Sequence, residues 1–143
     1  MQTITDYMSG EHRSCDTLFA EAETAAANRD LASAKTGFEA FHKEILHHLA
    51  KEESILFPAF EKATGSNMGP TRVMLMEHEQ MRGLFEQMQA ALDANDSDKY
   101  AGLSETLLIL MQQHNFKEEQ MLYPMADRAL QEHDNLIQQM QTL

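Results

Sequence analysis

The sequence HLAKEESILFP at residues 48–58 returns 66 residues later as HNFKEEQMLYP at residues 114–124. Both copies keep a histidine, a Lys-Glu-Glu triplet and a closing proline at the same spacing. A Glu-His pair at residues 11–12 recurs at residues 77–78, with the same offset of 66. A fixed offset of this kind indicates an internal repeat whose copies place equivalent side chains in related positions.

Each repeat unit has the apolar spacing of two long helices, and the chain shows no alternating strand pattern. The predicted helices cover about Thr3–Ala27, Asp30–Pro58, Pro70–Ala94 and Asn95–Pro124. Four long helices with short connections predict an all-α fold, an antiparallel up-down-up-down four-helix bundle built from two repeated helical hairpins. We expect residues 1–130 to form this domain and residues 131–143 a polar tail or short helix.

The composition narrows the classes of partner. The chain has 143 residues with 23 acidic and 11 basic side chains, a formal net charge of −12. Nucleic acids and anionic membranes attract positive surfaces, so neither is an expected partner. The chain lacks an apolar run long enough for a membrane span and an N-terminal secretory pattern, so the cytoplasm is the expected location.

The repeat also carries the side chains of a metal site. The second predicted helix has His48 and Glu52, and the fourth has His114 and Glu118, at the i, i+4 spacing that places two side chains on one helix face. The first and third helices add one histidine each. Imidazole and carboxylate groups bind iron, copper or zinc, and carboxylates can bridge two ions. A two-hairpin bundle therefore predicts a symmetric dinuclear site, with the metal ligands His12, His48, Glu52, His78, His114 and Glu118.

Other polar residues have less certain roles. Glu53 and Glu119 follow the inner glutamates, and they either form a solvated acidic face with nearby lysines or serve the metal site, by contacting a histidine or as direct ligands. Three histidines lie outside the repeat, and we expect them on the surface or around the site: His42, His47 and His133.

We also predict the structural roles of one cysteine, one tyrosine and two prolines in or near the repeat. Cys15 is expected to be a small buried thiol, and Tyr123, which replaces Phe57 in the repeat, is expected to pack. Pro58 and Pro124 are each expected to kink or to end a helix.

Together, the two eleven-residue segments and Glu77-His78-Glu79 resemble the signature of hemerythrin-like HHE cation-binding domains. The resemblance covers about Tyr7 to Ala129. It implies a four-helix bundle that holds two iron ions with an oxo or hydroxo bridge. By position it makes the four repeated histidines terminal ligands, with Glu52 and Glu118 as bridges.

One position departs from the oxygen-carrying members of that family, which have a fifth histidine four residues before His78. Met74 stands there, with Met8 as its repeat partner, and a thioether is a poor ligand for ferric iron. Four histidines, two glutamates and a solvent bridge leave one open position on each iron. The resemblance therefore implies that the protein binds or reacts with O2, NO or peroxide, in sensing, storage or detoxification.

Two alternatives stay open. The same site fits an enzyme that reduces NO or peroxide, or that donates iron for iron–sulfur repair. Repair proteins of that kind carry an additional N-terminal region with a cysteine pair, whereas this sequence has one cysteine, so we expect small-ligand chemistry ahead of repair. Alternatively, a structural zinc or single metal ion would leave the bundle to act through protein partners. The sequence assigns no catalytic residue and leaves the oligomeric state open.

Overall fold

The computed structural model describes residues 2–143, and all of its regular structure is helical in that range. The helices are α1 (Ile4–Ala27), α2 (Leu31–Lys51), α3 (Phe57–Thr64), α4 (Pro70–Asp93), α5 (Ser97–Lys117), α6 (Tyr123–Ala129) and α7 (His133–Gln141). The expectation of an all-α bundle is confirmed at this level. No helix among these residues is both long and apolar enough to cross a membrane.

The turns α1–α2 and α4–α5 are built alike. The carboxylates of Asp30 and Asp96 accept hydrogen bonds from the backbone N–H groups of Ser33 and Lys99, at 3.2 and 3.0 Å. These bonds cap backbone groups that have no partner within the helix. The residue before each cap has a left-handed backbone, with φ of 57° and 56°. The sequence repeat is therefore also a repeat of turn geometry.

Neither repeated proline ends its helix. A π-helical turn precedes each one, at Glu52–Leu56 between α2 and α3 and at Glu118–Leu122 between α5 and α6. In each turn, a backbone N–H donates to the carbonyl five residues earlier, from Phe57 to Glu52 and from Tyr123 to Glu118. The wider turn accommodates the hydrogen bond that proline cannot donate. Of the two outcomes expected at Pro58 and Pro124, a kink or a helix end, the helix end is wrong, because the chain stays helical to Thr64 and Ala129.

Apolar side chains form two separate clusters along the bundle. The turn-side cluster lies toward the α1–α2 and α4–α5 turns, and its aromatic members are Phe19, Phe38, Phe41, Phe85 and Tyr100. Cys15 belongs to this cluster and is buried, as predicted. The proline-side cluster includes Leu56, Leu122, Met8 and Met74. In α1, α4 and α5, the repeated histidine lies between residues of the two clusters in sequence, and in α2 His48 lies one residue before Leu49, the last member of the turn-side cluster in that helix.

Residues 131–143 contain α7, the short helix that was one of the two forms expected for this segment. Its Ile137 and Met140 are buried in the proline-side cluster. His133 donates a hydrogen bond from Nε2 to the carbonyls of Asp127 and Leu130, at 2.8 and 2.6 Å. These contacts hold the start of α7 against the end of α6.

The start of α1 is held by α6. Asp127 accepts hydrogen bonds from the backbone N–H groups of Ile4 and Thr5, at 2.7 and 3.2 Å, and from the Thr5 hydroxyl at 2.6 Å. The repeat-equivalent contact joins the Thr71 hydroxyl to Glu61 at 2.8 Å. In both hairpins, the segment after the proline therefore contacts the start of the other hairpin's first helix.

We expect Asp127→Ala to lower the free energy of unfolding by about 1–2 kcal/mol, the usual effect of losing a helix cap. The measurement is urea unfolding followed by circular dichroism. Asp98→Ala is the control, because that carboxylate is 86% exposed and an exposed change should alter stability by less than about 0.5 kcal/mol. Equal stability of the two variants would show that Asp127 does not fasten α1.

Candidate metal centre

The structure brings all six predicted ligands to one level of the bundle, between the two apolar clusters. α1 and α4 each supply one histidine, α2 and α5 each supply one more, and the two glutamates begin the π-helical turns. All six are buried, and the side chains of Glu52 and Glu118 have no exposed area. Groups of these side chains place their nitrogen and oxygen atoms within 4.8 Å of one another: Glu52, His78, His114 and Glu118 in one group, and His12, His48 and Glu118 in another.

The imidazoles are arranged in two pairs, one from each hairpin. His12 and His48 form the first subsite, with ring centroids 4.7 Å apart. His78 and His114 form the second subsite, with centroids 5.0 Å apart. Each helical hairpin therefore supplies one complete pair.

Each central glutamate reaches both subsites. Glu118 Oε1 lies 3.1 Å from His12 Nε2 and 3.3 Å from His114 Nε2. Glu52 Oε1 lies 3.5 Å from His48 Nε2 and 3.2 Å from His78 Nε2. Each carboxylate thus faces one imidazole of each pair, which is the arrangement required of a group that bridges two ions.

Each of the four histidines donates a hydrogen bond from Nδ1 to a second carboxylate. The distances are 2.7 Å for His12 to Glu119, 2.9 Å for His48 to Glu11, 2.7 Å for His78 to Glu53, and 2.8 Å for His114 to Glu77. A carboxylate on Nδ1 fixes the tautomer, leaves the Nε2 lone pair free for a metal and makes that nitrogen more basic.

These contacts decide between the two interpretations of Glu53 and Glu119. Both glutamates contact a histidine of the other hairpin, and they do not form a solvated face with the lysines. Glu11 and Glu77, whose roles the sequence did not assign, do the same for the histidine of their own hairpin. Their recurrence at the 66-residue offset is the signal that could have identified them.

The repeated lysines hold two of these outer glutamates. Lys51 contacts Glu11, and Lys117 contacts Glu77. Burial would raise the pKa of Glu11, but hydrogen bonds from His48 and Lys51 outweigh it and lower the pKa to about 2. Lys51 also donates to the Tyr7 hydroxyl at 2.9 Å. Glu11 is therefore ionised at neutral pH and accepts the hydrogen bond from His48 as a carboxylate.

The pKa values of the two central carboxyl groups, Glu52 and Glu118, are shifted in opposite directions. Burial raises the pKa of Glu52 well above its usual range, and the nearby Glu118 raises it further. Burial also acts to raise the pKa of Glu118, but His114 and hydrogen bonds from neighbouring groups lower it well below its usual range. Two like charges this close do not both ionise without compensating positive charge. A bound cation would supply that charge.

The polar atoms of this centre fit a metal ion by a second criterion. Within residues 2–143, four buried site atoms have no hydrogen-bond partner: Glu52 Oε1, Glu118 Oε2, His78 Nε2 and His114 Nε2. Burial lowers the pKa of His78 to about 4, which keeps this imidazole neutral and able to bind a metal. Leaving buried polar atoms without a hydrogen-bond partner is energetically costly. Imidazole nitrogens and carboxylate oxygens are suitable ligands for iron, copper or zinc, so a bound metal ion would give these atoms a partner.

Tyr123 also reaches the site, contrary to the expectation that it only packs. Its hydroxyl donates toward Glu52 Oε2 and Glu118 Oε1, at 2.7 and 2.8 Å. The same oxygen lies 3.1 Å from His12 Nε2 and 3.5 Å from His48 Nε2. Burial and the two carboxylates raise the pKa of Tyr123 well above its usual range, so the phenol is neutral unless a cation is bound nearby.

The π-helical turn explains why sequence reasoning missed this contact. In an α-helix, residues five apart point about 140° from each other, because each residue turns about 100°. A π-helical turn bonds residues five apart, so it brings Tyr123 over Glu118. Pro124, directly after the tyrosine, was the available sign in the sequence that the helix departs from regular α-helical geometry here.

The histidines outside the repeat do not join the centre. His42 stacks on Phe38, with ring centroids 5.3 Å apart, and His47 bonds the carbonyl of Leu143 at 3.1 Å. His133 bonds the carbonyls at the end of α6. The structure therefore places the three histidines outside the repeat apart from the four histidines within it.

Comparisons with known proteins identify the family to which the sequence is similar. The family model of the hemerythrin HHE cation binding domain matches residues 3–126. The iron-sulfur cluster repair protein YtfE of Enterobacter sp. (strain 638) is 33% identical over 115 residues, covering 73% of this chain and 50% of the relative. YtfE of Escherichia fergusonii is 33% identical over 95 residues, covering 59% of this chain and 43% of the relative. The chain thus spans about half the length of these curated relatives. No solved structure matches it.

We expect Glu53→Ala to weaken metal binding by about 10–100-fold, the usual effect of removing a carboxylate that orients a metal-binding histidine. Competition with a metal chelator measures the affinity. Glu79→Ala is a matched control, because Glu53 and Glu79 both bind Arg82 and only Glu53 contacts His78. Equal affinity of the two variants would remove the orienting role of Glu53.

Proposed function

The chain belongs to the family of hemerythrin HHE cation-binding domains, and on that premise we propose that it is a non-haem di-iron protein. Its function is to bind or react with O2, NO or peroxide at the bundle centre, in sensing, storage or detoxification. One observation carries the proposal: two fully buried glutamates each face one imidazole from each of two histidine pairs.

In this proposal each subsite holds one iron. His12 and His48 bind the first ion, and His78 and His114 bind the second. Glu52 and Glu118 would bridge the ions, and an oxo or hydroxo group would complete the bridge. The two irons would supply the electrons and the coordination positions for a small diatomic or peroxide ligand. The contact of each glutamate with both subsites supports this assignment over two independent mononuclear sites.

The surrounding residues keep the donor atoms in place and limit the access of water. Outer carboxylates hold each imidazole by Nδ1, and Lys51 and Lys117 hold two of those carboxylates. Apolar clusters lie on both sides of the polar layer. Electrostatic interactions are stronger in a buried site of low dielectric than in water. Burial would also admit small uncharged ligands such as O2 and NO more readily than larger polar molecules.

We also propose the up-down-up-down arrangement of two helical hairpins as the topology of the bundle. α1 packs along α2, and α4 packs along α5, across connections of a few residues. Short connections between packed helices are typical of antiparallel neighbours. Location in the cytoplasm and a domain boundary near residue 130 stay predictions of the sequence.

The relatives favour a second candidate function. Their name assigns them to iron–sulfur cluster repair, and the matched part of the chain carries the candidate iron centre. A di-iron domain that donates iron to a damaged cluster would use the same six ligands. Catalytic consumption of NO or peroxide in the presence of a reductant would support an enzyme that reduces these molecules. Transfer of iron to an acceptor protein that lacks its cluster would support a repair function.

The proposal is tested by metal content and optical absorption of the anaerobically reduced protein, before and after exposure to air. Two irons per chain with new near-ultraviolet and visible charge-transfer bands would support a di-iron centre. A long-lived adduct would then favour binding, and rapid decay to a stable ferric form would favour reductive chemistry. One zinc per chain, or no metal and no spectral change, would contradict the proposal.

We expect Glu52→Ala and Glu118→Ala each to lower the iron content from two per chain toward one or none, because each carboxylate contacts both subsites. Metal analysis of the purified variants measures this. Glu86→Ala is the control, because Glu86 is an exposed glutamate of α4, and thermal unfolding checks that each variant is folded. Two irons in both folded site variants would contradict the bridging assignment.

A further inference from the structure

The two subsites have matching histidines and glutamates, but they differ in one aromatic ring. Phe57 stacks on His78 with ring centroids 5.7 Å apart, and the Tyr123 ring contacts His12 in a tilted arrangement with centroids 5.6 Å apart. These aromatic residues are equivalent in the repeat and directly follow the two π-helical turns. The first subsite therefore contains a phenol oxygen where the second has only a phenyl edge.

The position of that oxygen is specific. It lies 2.7 and 2.8 Å from Glu52 Oε2 and Glu118 Oε1, and 3.1 and 3.5 Å from the Nε2 atoms of His12 and His48. Neighbouring ligands of one metal ion, each bonded at about 2.0–2.2 Å, lie about 3 Å from one another. The phenol oxygen keeps this spacing from all four groups assigned to the first iron. A tyrosine that only packed on a histidine would need none of the carboxylate contacts.

We propose that Tyr123 is a ligand of the iron in the first subsite, an inference that rests on the di-iron function proposed above. Counting six positions, two histidines, two bridging carboxylates, one solvent bridge and Tyr123 complete the first iron. The second iron has the same set without a phenol, so its remaining position is open beside Phe57. The proposal changes the expectation of one open position on each iron, and it assigns binding of the small ligand to the second subsite.

The chemistry of the phenol suits this role. A phenolate is a hard oxygen ligand, of the kind that ferric iron prefers, and tyrosine serves as an axial ligand of haem iron in catalase. Coordination forms an iron–oxygen bond and releases the phenol proton to solvent, without a change of oxidation state, as metal binding to a protonated ligand requires. The nearby cation supplies the positive charge that the two carboxylates lack.

The test is resonance Raman spectroscopy of the iron-loaded, air-oxidised protein, with excitation in its visible charge-transfer band and iron counted on the same sample. We expect the ring vibrations of an iron-bound tyrosinate. The chain has three tyrosines, so the double variant Tyr7→Phe, Tyr100→Phe retains only Tyr123 and should keep these vibrations. Tyr123→Phe should lose them and still bind two irons.

Phe57→Tyr is the matched variant for the other subsite. It places a phenol at the repeat-equivalent position, so it should increase the intensity of the tyrosinate vibrations at unchanged iron content. Because the assignment to Tyr123 is made in the double variant, it holds even if Tyr123→Phe fails to fold.

The possible failures can be told apart. Two irons per chain without tyrosinate vibrations would overturn the role of Tyr123 and leave the di-iron function standing, with the phenol only a hydrogen-bond donor to the carboxylates. Loss of the vibrations in the double variant would overturn the assignment to Tyr123. Fewer than two irons in the unaltered protein would overturn the di-iron function and the inference together.

Discussion

The rest of the structure depends on the burial of two carboxylates at the centre of a helical bundle. Glu52 and Glu118 have no solvent exposure, and each retains an oxygen without a hydrogen-bond partner among the described residues. Burial of ionised carboxylates is costly unless positive charge or hydrogen bonds compensate for it. The surrounding imidazoles offer nitrogen donors, and a pair of cations between them would provide the missing charge.

Around this centre, a series of basic and acidic side chains in contact with one another extends outward toward the surface. Lys51 holds Glu11, Glu11 holds His48, and His48 faces Glu52. The second hairpin repeats the same order with its own four residues. Each link restricts the rotation of the next side chain, so the inner nitrogens are oriented before any metal binds. Such preorganisation would lower the entropy cost of binding a metal. It gives a reason why the buried Glu52 is followed outward by a histidine, a second glutamate and a lysine.

Near-symmetry and one departure from it together shape the chemistry. The repeat supplies two similar histidine pairs, and apolar clusters lie on either side of them. The widened turns before the prolines rotate one aromatic ring of each hairpin into the site. Because one ring is tyrosine and the other phenylalanine, the two positions differ by an oxygen atom. In the proposed di-iron centre, that difference would close one position with protein and leave the other for a small ligand.

Sequence alone was enough to predict the helical class, which the structure confirms, because helical periodicity shows which side chains share a face. The repeat showed which of these side chains recur, and on that basis the sequence predicted the six candidate donors that the structure buries together. It also separated His42, His47 and His133 from the site. Tertiary structure alone decided which helix faces which, and therefore that Glu53 and Glu119 bind histidines of the opposite hairpin. It likewise decided the place of Tyr123, because that contact depends on a local widening of the helix that the regular α-helical period does not describe.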